Sequence, residues 1–170
     1  VVDPRAGEIM FGLNLIVNRG KTIFICDTSV IEYPDANQLA EMAKSAARVV
    51  RLFGFDPKVA FLSHSTFGEP ATERTKRLSD AVEILKKDKV DFKFDGEMQP
   101  DVALEEMYKE LYPFSEIVGS SNVLIMPSQH SAAISYKMIK SMSRAKVIGP
   151  LLIGLGQPIE IAPLRSSTSE

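Results

Sequence analysis

Hydrophobic and polar positions change period along the chain, and each change marks an element. Residues 9–17, Ile-Met-Phe-Gly-Leu-Asn-Leu-Ile-Val, and 21–26, Lys-Thr-Ile-Phe-Ile-Cys, are rich in β-branched and aromatic side chains. Asn18-Arg19-Gly20 separates them, which predicts a hairpin closed by a short glycine turn. At Asp35 the period becomes helical. Asp35 stands three residues before Gln38, an acidic variant of the capping box. Leu39, Met42, Ala43, Ala46, Val49, Val50 and Phe53 then recur every three or four residues, and Gly54 follows as a stop. The spacing predicts a helix over 35–53.

The alternation continues. Lys58–Ser63 is a short apolar run that predicts a buried strand, and Leu78, Ala81, Val82 and Leu85 mark the inner face of a second helix. Phe92–Asp95 predicts a strand ending in Asp95-Gly96-Glu97, with a helix near 101–111 after it. Asn122–Met126 predicts another buried strand. A helix over 131–142 follows, with Ile134, Met138 and Ile139 expected inside. Val147–Ile153 is a last apolar run, interrupted by Gly149-Pro150. Strands alternating with helices predict an α/β fold. The expected architecture is three layers, αβα, around a mostly parallel sheet with an antiparallel edge hairpin.

Composition narrows the function classes. Of the 170 residues, 45% are hydrophobic and 25% charged, as in an ordinary globular domain, and the net charge of −2 gives no general attraction to nucleic acid or lipid. No apolar run approaches the roughly 18 to 20 residues of a membrane span. The one cysteine, Cys26, rules out an internal disulfide and points to a reducing, cytoplasmic setting. Its neighbour is Asp27 rather than a base, so a buried, unreactive thiol is expected. The opening Val1-Val2-Asp3-Pro4 has no signal-peptide character and leads us to expect a piece of a longer protein.

In a parallel α/β sheet, ligands bind beyond the carboxyl ends of the strands. The candidate loops are Asp27-Thr28, 63–68 (Ser-His-Ser-Thr-Phe-Gly), 95–99 (Asp-Gly-Glu-Met-Gln), 127–131 (Pro-Ser-Gln-His-Ser) and Gly149-Pro150-Leu151. Hydroxyl- and glycine-rich loops can cradle phosphate, although the same residues serve as ordinary turns and caps. Ser128 or Ser131 is expected to cap the helix after it and so create an anion site. Lys137, Lys140, Arg144 and Lys146 give 122–150 four positive charges and no acid, either a phosphate-binding patch or a solvated helix face. His64 and His130 lack metal-ligand spacing, and no metal site is expected in this chain. Asp95 and Glu97 could act as a carboxylate pair or hold structure together. Neither Gly-x-Gly-x-x-Gly nor Gly-x-x-x-x-Gly-Lys-Ser/Thr is present, so nucleotide folds of those kinds are not supported.

Six segments in order resemble the phosphate acetyl/butyryl-transferase family. They are Thr22–Thr28, Ala60–Thr66, Asp95–Gln99, Asn122–Pro127, Ser135-Tyr136-Lys137 and Ile148–Leu155. Phe67-Gly68, Val90–Met98, Leu111-Tyr112-Pro113-Phe114 and His130-Ser131 are similar to the phosphotransacetylase-like C-terminal region of large bacterial malic enzymes. The resemblance implies that residues 1–162 form the second lobe of such a domain, with 163–170 leading back to a first lobe not contained here. It also implies departures from active transferases. The family's serine and arginine fall on Pro163 and Leu164, Glu69 follows Ser65-Thr66-Phe67-Gly68, and Ser128 replaces an aspartate after Pro127.

The function implied is a regulatory and oligomerising module of a malic enzyme, an oxidoreductase converting malate to pyruvate and carbon dioxide with NADP. The module would bind acetyl-CoA as effector, most directly through Ser65, Thr66, Gln129, His130, Ser131, Gly149 and Pro150, and carry no catalytic residue. Expected partners are further copies of itself, the upstream malic enzyme domain and acetyl-CoA, but neither nucleic acid nor membrane. NADP or NAD and Mg or Mn would belong to that upstream domain. An active phosphate acetyltransferase and a purely structural oligomerisation domain stay open as alternatives.

Overall fold

The computed structural model describes residues 7–157 and 159; Pro163, Leu164 and the rest of the expected segment 163–170 lie outside them. A six-stranded mixed sheet runs through the centre in the order β4-β3-β5-β2-β1-β6. Strands β1 (Phe11–Asn18) and β2 (Lys21–Cys26) form the expected antiparallel hairpin. Arg19 and Gly20 both have positive φ, at 49° and 78°, and a two-residue turn of that kind matches the twist of the flanking strands. Strands β3 (Lys58–Leu62), β4 (Lys93–Met98) and β5 (Val123–Ile125) extend the sheet in parallel from β2.

The antiparallel part is one strand larger than the hairpin alone predicts. Strand β6 (Lys146–Ile153) adds to the outer side of β1. Gly149-Pro150 therefore lies inside a ladder rather than in a strand-end loop. Leu13 pairs with Leu151 and Leu15 with Ile148, so Gly149 and Pro150 together face Asn14 in a bulge. Gly149 has φ of 114°, and a Cβ there would stand 2.8 Å from the Leu13 carbonyl oxygen, so the bulge needs glycine.

Two apolar cores flank the sheet. On one face α1 (Ala36–Leu52) and α2 (Glu73–Asp88) bury Leu39, Met42, Leu78 and Leu85 against Phe11, Leu13, Phe24, Val59 and Phe61. The Asp35 carboxylate accepts from the Gln38 N–H at 2.8 Å, and Gln38 Oε1 accepts from the Asp35 N–H at 2.9 Å, so the predicted capping box is formed. On the other face Val102, Ala103, Ile117 and Ala132 cover Ile16, Ile25, Ala60, Leu62 and Leu124. The parallel strands are apolar on both faces because both faces are covered.

Three expectations are corrected. Strand β4 does not stop at Asp95; it runs through Gly96 and Glu97 to Met98, which pairs with Leu62 beyond a register shift. The helix near 101–111 is two pieces, α3 (Pro100–Leu104) and a 3-10 turn over Glu106–Glu110. The Val102 and Ala103 carbonyls, which a longer helix would need, instead accept from the N–H groups of Gly119 and Ser121. Helix α4 (Gln129–Met142) exists, but Ile134 and Met138 are 62% and 52% exposed and Ile139 is exposed too. Ala132 is its one buried residue; it and the partly buried Tyr136 meet the core, leaving the Ile134–Met138 face outward.

Candidate functional site

The chain leaves the carboxyl ends of β3 and β5 through Ser63-His64 and Met126-Pro127-Ser128. A cleft of about 470 Å³ opens between these ends, the first turns of α2 and α4, and Tyr33. Ser128 is the N-cap of α4. Its Oγ accepts from the Ser131 N–H at 3.2 Å, while the Ser131 hydroxyl accepts from the Ser128 N–H and donates to the Ser128 carbonyl at 2.7 Å. The positive end of α4 and two capping hydroxyls thus border the cleft.

Two guanidinium groups stand opposite. Arg77 is held: its Nη atoms donate to the carbonyls of Pro34 and Pro127, and its Cζ lies 3.5 Å from the centre of the Tyr33 ring. Burial holds this guanidinium below the usual arginine range; Tyr33 opposes that effect and the neighbouring charge of Arg74 adds to it. The Arg74 side chain is exposed and makes no ion pair among the described residues. No Asp or Glu lines the cleft, whose remaining walls are Leu78, Pro100 and Met126, with Thr75 and Ser135. Two arginines and a helix N-terminus, with no carboxylate in the lining, give the cleft a positive character that suits an anion. The Pro100, Leu78 and Met126 walls suit an apolar moiety beside the anion.

A second cavity, about 490 Å³, lies by β4 and is lined by Phe67, Phe94, Phe114, Lys86 and Glu97 among others. Its charged groups are engaged. Lys86 pairs with Glu83 at 2.8 Å. Glu97 is buried and accepts from the Ser79 hydroxyl at 2.6 Å, the Gly68 N–H at 2.7 Å and the Ser65 hydroxyl at 3.0 Å. Burial alone would raise the Glu97 pKa; these hydrogen bonds outweigh it and hold the carboxyl below its ordinary range. Glu97 is therefore a brace between β4, α2 and the loop after β3, while Asp95 accepts from the Gly96 N–H at 2.9 Å. Asp27 plays a similar part, receiving the N–H groups of Gly12, Ser29, Val30 and Ile31. Cys26 is fully buried, and burial with the adjacent Asp27 pushes its thiol well above the usual range.

The expected contact residues are dispersed. Ser131 borders the cleft, with Gln129 and His130 in the same turn of α4. His130 is exposed, 3.6 Å from the Glu32 carboxylate, and the Gln129 N–H donates to the Glu32 carbonyl. Ser65 is fully buried beneath Glu97, and Thr66 Oγ1 accepts from the Gln99 N–H at 3.2 Å. Gly149 and Pro150 sit in the β6 bulge and do not line the cleft. Sequence reasoning missed Tyr33, Arg74, Arg77 and Ser135. One signal was present: Arg74, Lys76 and Arg77 crowd the first five positions of α2, where the helix dipole disfavours cations. Among the described residues no three His, Cys, Asp or Glu side chains converge as metal ligands, and no helix is long and apolar enough to cross a membrane.

The chain belongs to the phosphate acetyl/butaryl transferase family, whose profile matches residues 2–170. It is 43% identical over 169 residues to the NADP-dependent malic enzyme of Rhizobium meliloti, a match covering 99% of this chain and 22% of that protein. It is also 43% identical over 145 residues to the phosphate acetyltransferase of Treponema pallidum, covering 83% of this chain and 43% of that protein. The EutD phosphotransacetylase from Staphylococcus aureus superposes with a TM-score of 0.88 at 26% identity, over 98% of this chain and 52% of that one. The chain thus spans about a fifth of its malic enzyme relatives and under half of that phosphate acetyltransferase.

Proposed function

We propose that this chain is the regulatory and oligomerising transferase-like module of an NADP-dependent malic enzyme, binding acetyl-CoA as an allosteric effector without turning it over. The lining of the cleft supports this most: Arg74, Arg77 and the α4 N-terminus converge there, and no carboxylate is among its lining residues, that of Glu32 standing by His130 on the rim. Coenzyme A carries its negative charge on phosphates, and an acyl-pantetheine arm suits the apolar wall of Leu78, Pro100 and Met126. Near-complete coverage of the chain on about a fifth of a malic enzyme supports the parent assignment. Pro163 and Leu164, where the resemblance puts the family's serine and arginine, support a silent site: neither side chain can polarise a thioester or hold phosphate.

In this proposal malate is oxidised and decarboxylated elsewhere in the protein. NADP and the divalent metal belong, in this proposal, to that other part. The residues here bind the effector. Arg74 and Arg77 meet phosphate oxygens at the positive end of α4, whose Ser128 and Ser131 donors are committed to the cap. Gln129 and His130 extend the same rim. Regulation follows if the two conformations of the enzyme bind the effector unequally.

The test is malate oxidation by the full-length protein carrying this chain, with acetyl-CoA titrated from zero to millimolar. A saturable fall in rate, lost in Arg74→Glu, is the expected result. A flat response from a protein that oxidises malate would overturn the effector role. Phosphate-dependent consumption of acetyl-CoA would overturn the silent site.

A further inference from the structure

Tyr33 is an exposed aromatic residue on a backbone tied down on both sides. Its side chain lines the cleft and the residue is 57% exposed. The turn before it is fixed by the Asp27 carboxylate, which accepts from the N–H groups of Ser29, Val30 and Ile31. The Glu32 carbonyl accepts from the Gln129 N–H at 3.1 Å, joining the residue before Tyr33 to the first turn of α4. The Pro34 carbonyl accepts from Arg77, joining the residue after Tyr33 to α2, and Pro34 is itself buried. Tyr33 thus sits in a loop whose position two helices determine.

Arg77 decides which side of the ring is free. Its Cζ lies 3.5 Å from the ring centre, so the guanidinium covers one face and the exposed surface is the other face and the edge. That open face has no structural use: Tyr33 belongs to neither apolar core and meets no other ring among the described residues. A rigid aromatic face beside an anion site suits a ligand that carries a flat ring and a phosphate on one molecule.

We propose that Tyr33 is a stacking platform for a purine base, so that the cleft selects nucleotide phosphates over plain phosphates. The proposal rests on the acyl-CoA reading of the cleft and deepens it, because the adenosine end of the effector then carries the recognition. Bases stack on aromatic side chains through their π faces, and the guanidinium on the far side of the ring completes a stack of cation, ring and base. Little ordering is needed on binding, since the backbone on both sides of the ring is already held. Arg74 lines the same cleft, is exposed, and makes no ion pair among the described residues, so it is available to a phosphate beside the stacked base. The apolar wall offers less: Leu78 and Met126 are 1% and 6% exposed and present little surface to an acyl arm. The difference in exposure places the stronger grip at the nucleotide end.

Calorimetric titration into the chain tests this with three probes: acetyl-CoA, adenosine 3′,5′-bisphosphate, which is the nucleotide part of coenzyme A without its arm, and inorganic pyrophosphate. Tyr33→Leu keeps an apolar side chain without a ring, Tyr33→Phe keeps the ring, and melting temperatures check folding. The wild type is expected to bind acetyl-CoA and the bisphosphate within about tenfold of each other. Tyr33→Leu is expected to bind both at least about fivefold more weakly, with pyrophosphate affinity unchanged, and Tyr33→Phe to bind like the wild type. Equal nucleotide affinity in Tyr33→Leu and wild type overturns the platform while the acyl-CoA reading stands. A fall in pyrophosphate affinity as large as that for the nucleotides means that the ring only positions Arg77, and also overturns the platform. Ring-dependent binding of the bisphosphate without any binding of acetyl-CoA supports the platform and overturns the acyl-CoA reading. A folded wild type that binds neither nucleotide overturns both.

Discussion

Glu97 accepts three hydrogen bonds, from α2 and the loop after β3, and is only 1% exposed. Glu97→Gln replaces an acceptor with an amide that sets its own donors against Ser65, Ser79 or the Gly68 N–H. It is expected to lower stability by about 1 to 3 kcal/mol at neutral pH. The folded-state pKa of Glu97 lies below the unfolded value of about 4.3. The stabilisation is therefore present above that unfolded value and is lost as pH falls through the folded one. Chemical denaturation of both proteins from pH 7 downward should show their difference narrowing in acid; a difference constant to pH 3 would contradict the assignment. The two arginines divide differently. Arg77→Ala removes donors from the Pro34 and Pro127 carbonyls and the cation from Tyr33, and is expected to cost about 1 to 3 kcal/mol. Arg74→Ala should stay within about 0.5 kcal/mol of wild type in the same melts. Equal losses would mean that Arg74 has a structural partner.

At the scale of elements, local signals were legible in the sequence and distant ones were not. The capping box at Asp35, the glycine turn at 19–20 and the inner face Leu78, Ala81, Val82, Leu85 depend on near neighbours, and all three formed. Periodicity also gave α4 its apolar stripe but not the side on which a cover would lie. Helical spacing identifies an apolar stripe, and that stripe meets the sheet only if no other surface claims it. The break at Gly149-Pro150 was visible as a break, yet its meaning, a bulge opposite Asn14, depends on a strand near the other end of the chain. The cleft was legible by location, since parallel strand ends predict it. Its arginines were harder to find because Arg77 is fixed by carbonyls 43 and 50 residues away.

At the scale of the whole molecule, a net charge of −2 conceals a strong separation. The cleft gathers cations at the strand ends, α4 and the residues after it carry a basic rim, and the 3-10 turn carries carboxylates. Charge arranged this way acts on partners rather than on the fold. In the proposed function the basic lining of the cleft suits an anionic effector.

The central claim is that the cleft binds an acyl-CoA through its arginines. Calorimetric titration of acetyl-CoA into the chain, wild type beside Arg74→Glu, tests it most directly. Saturable binding by the wild type is predicted, with at least about tenfold weaker binding by the variant at an unchanged melting temperature without ligand. Equal affinity in the two proteins, or no binding by the folded wild type, would contradict it.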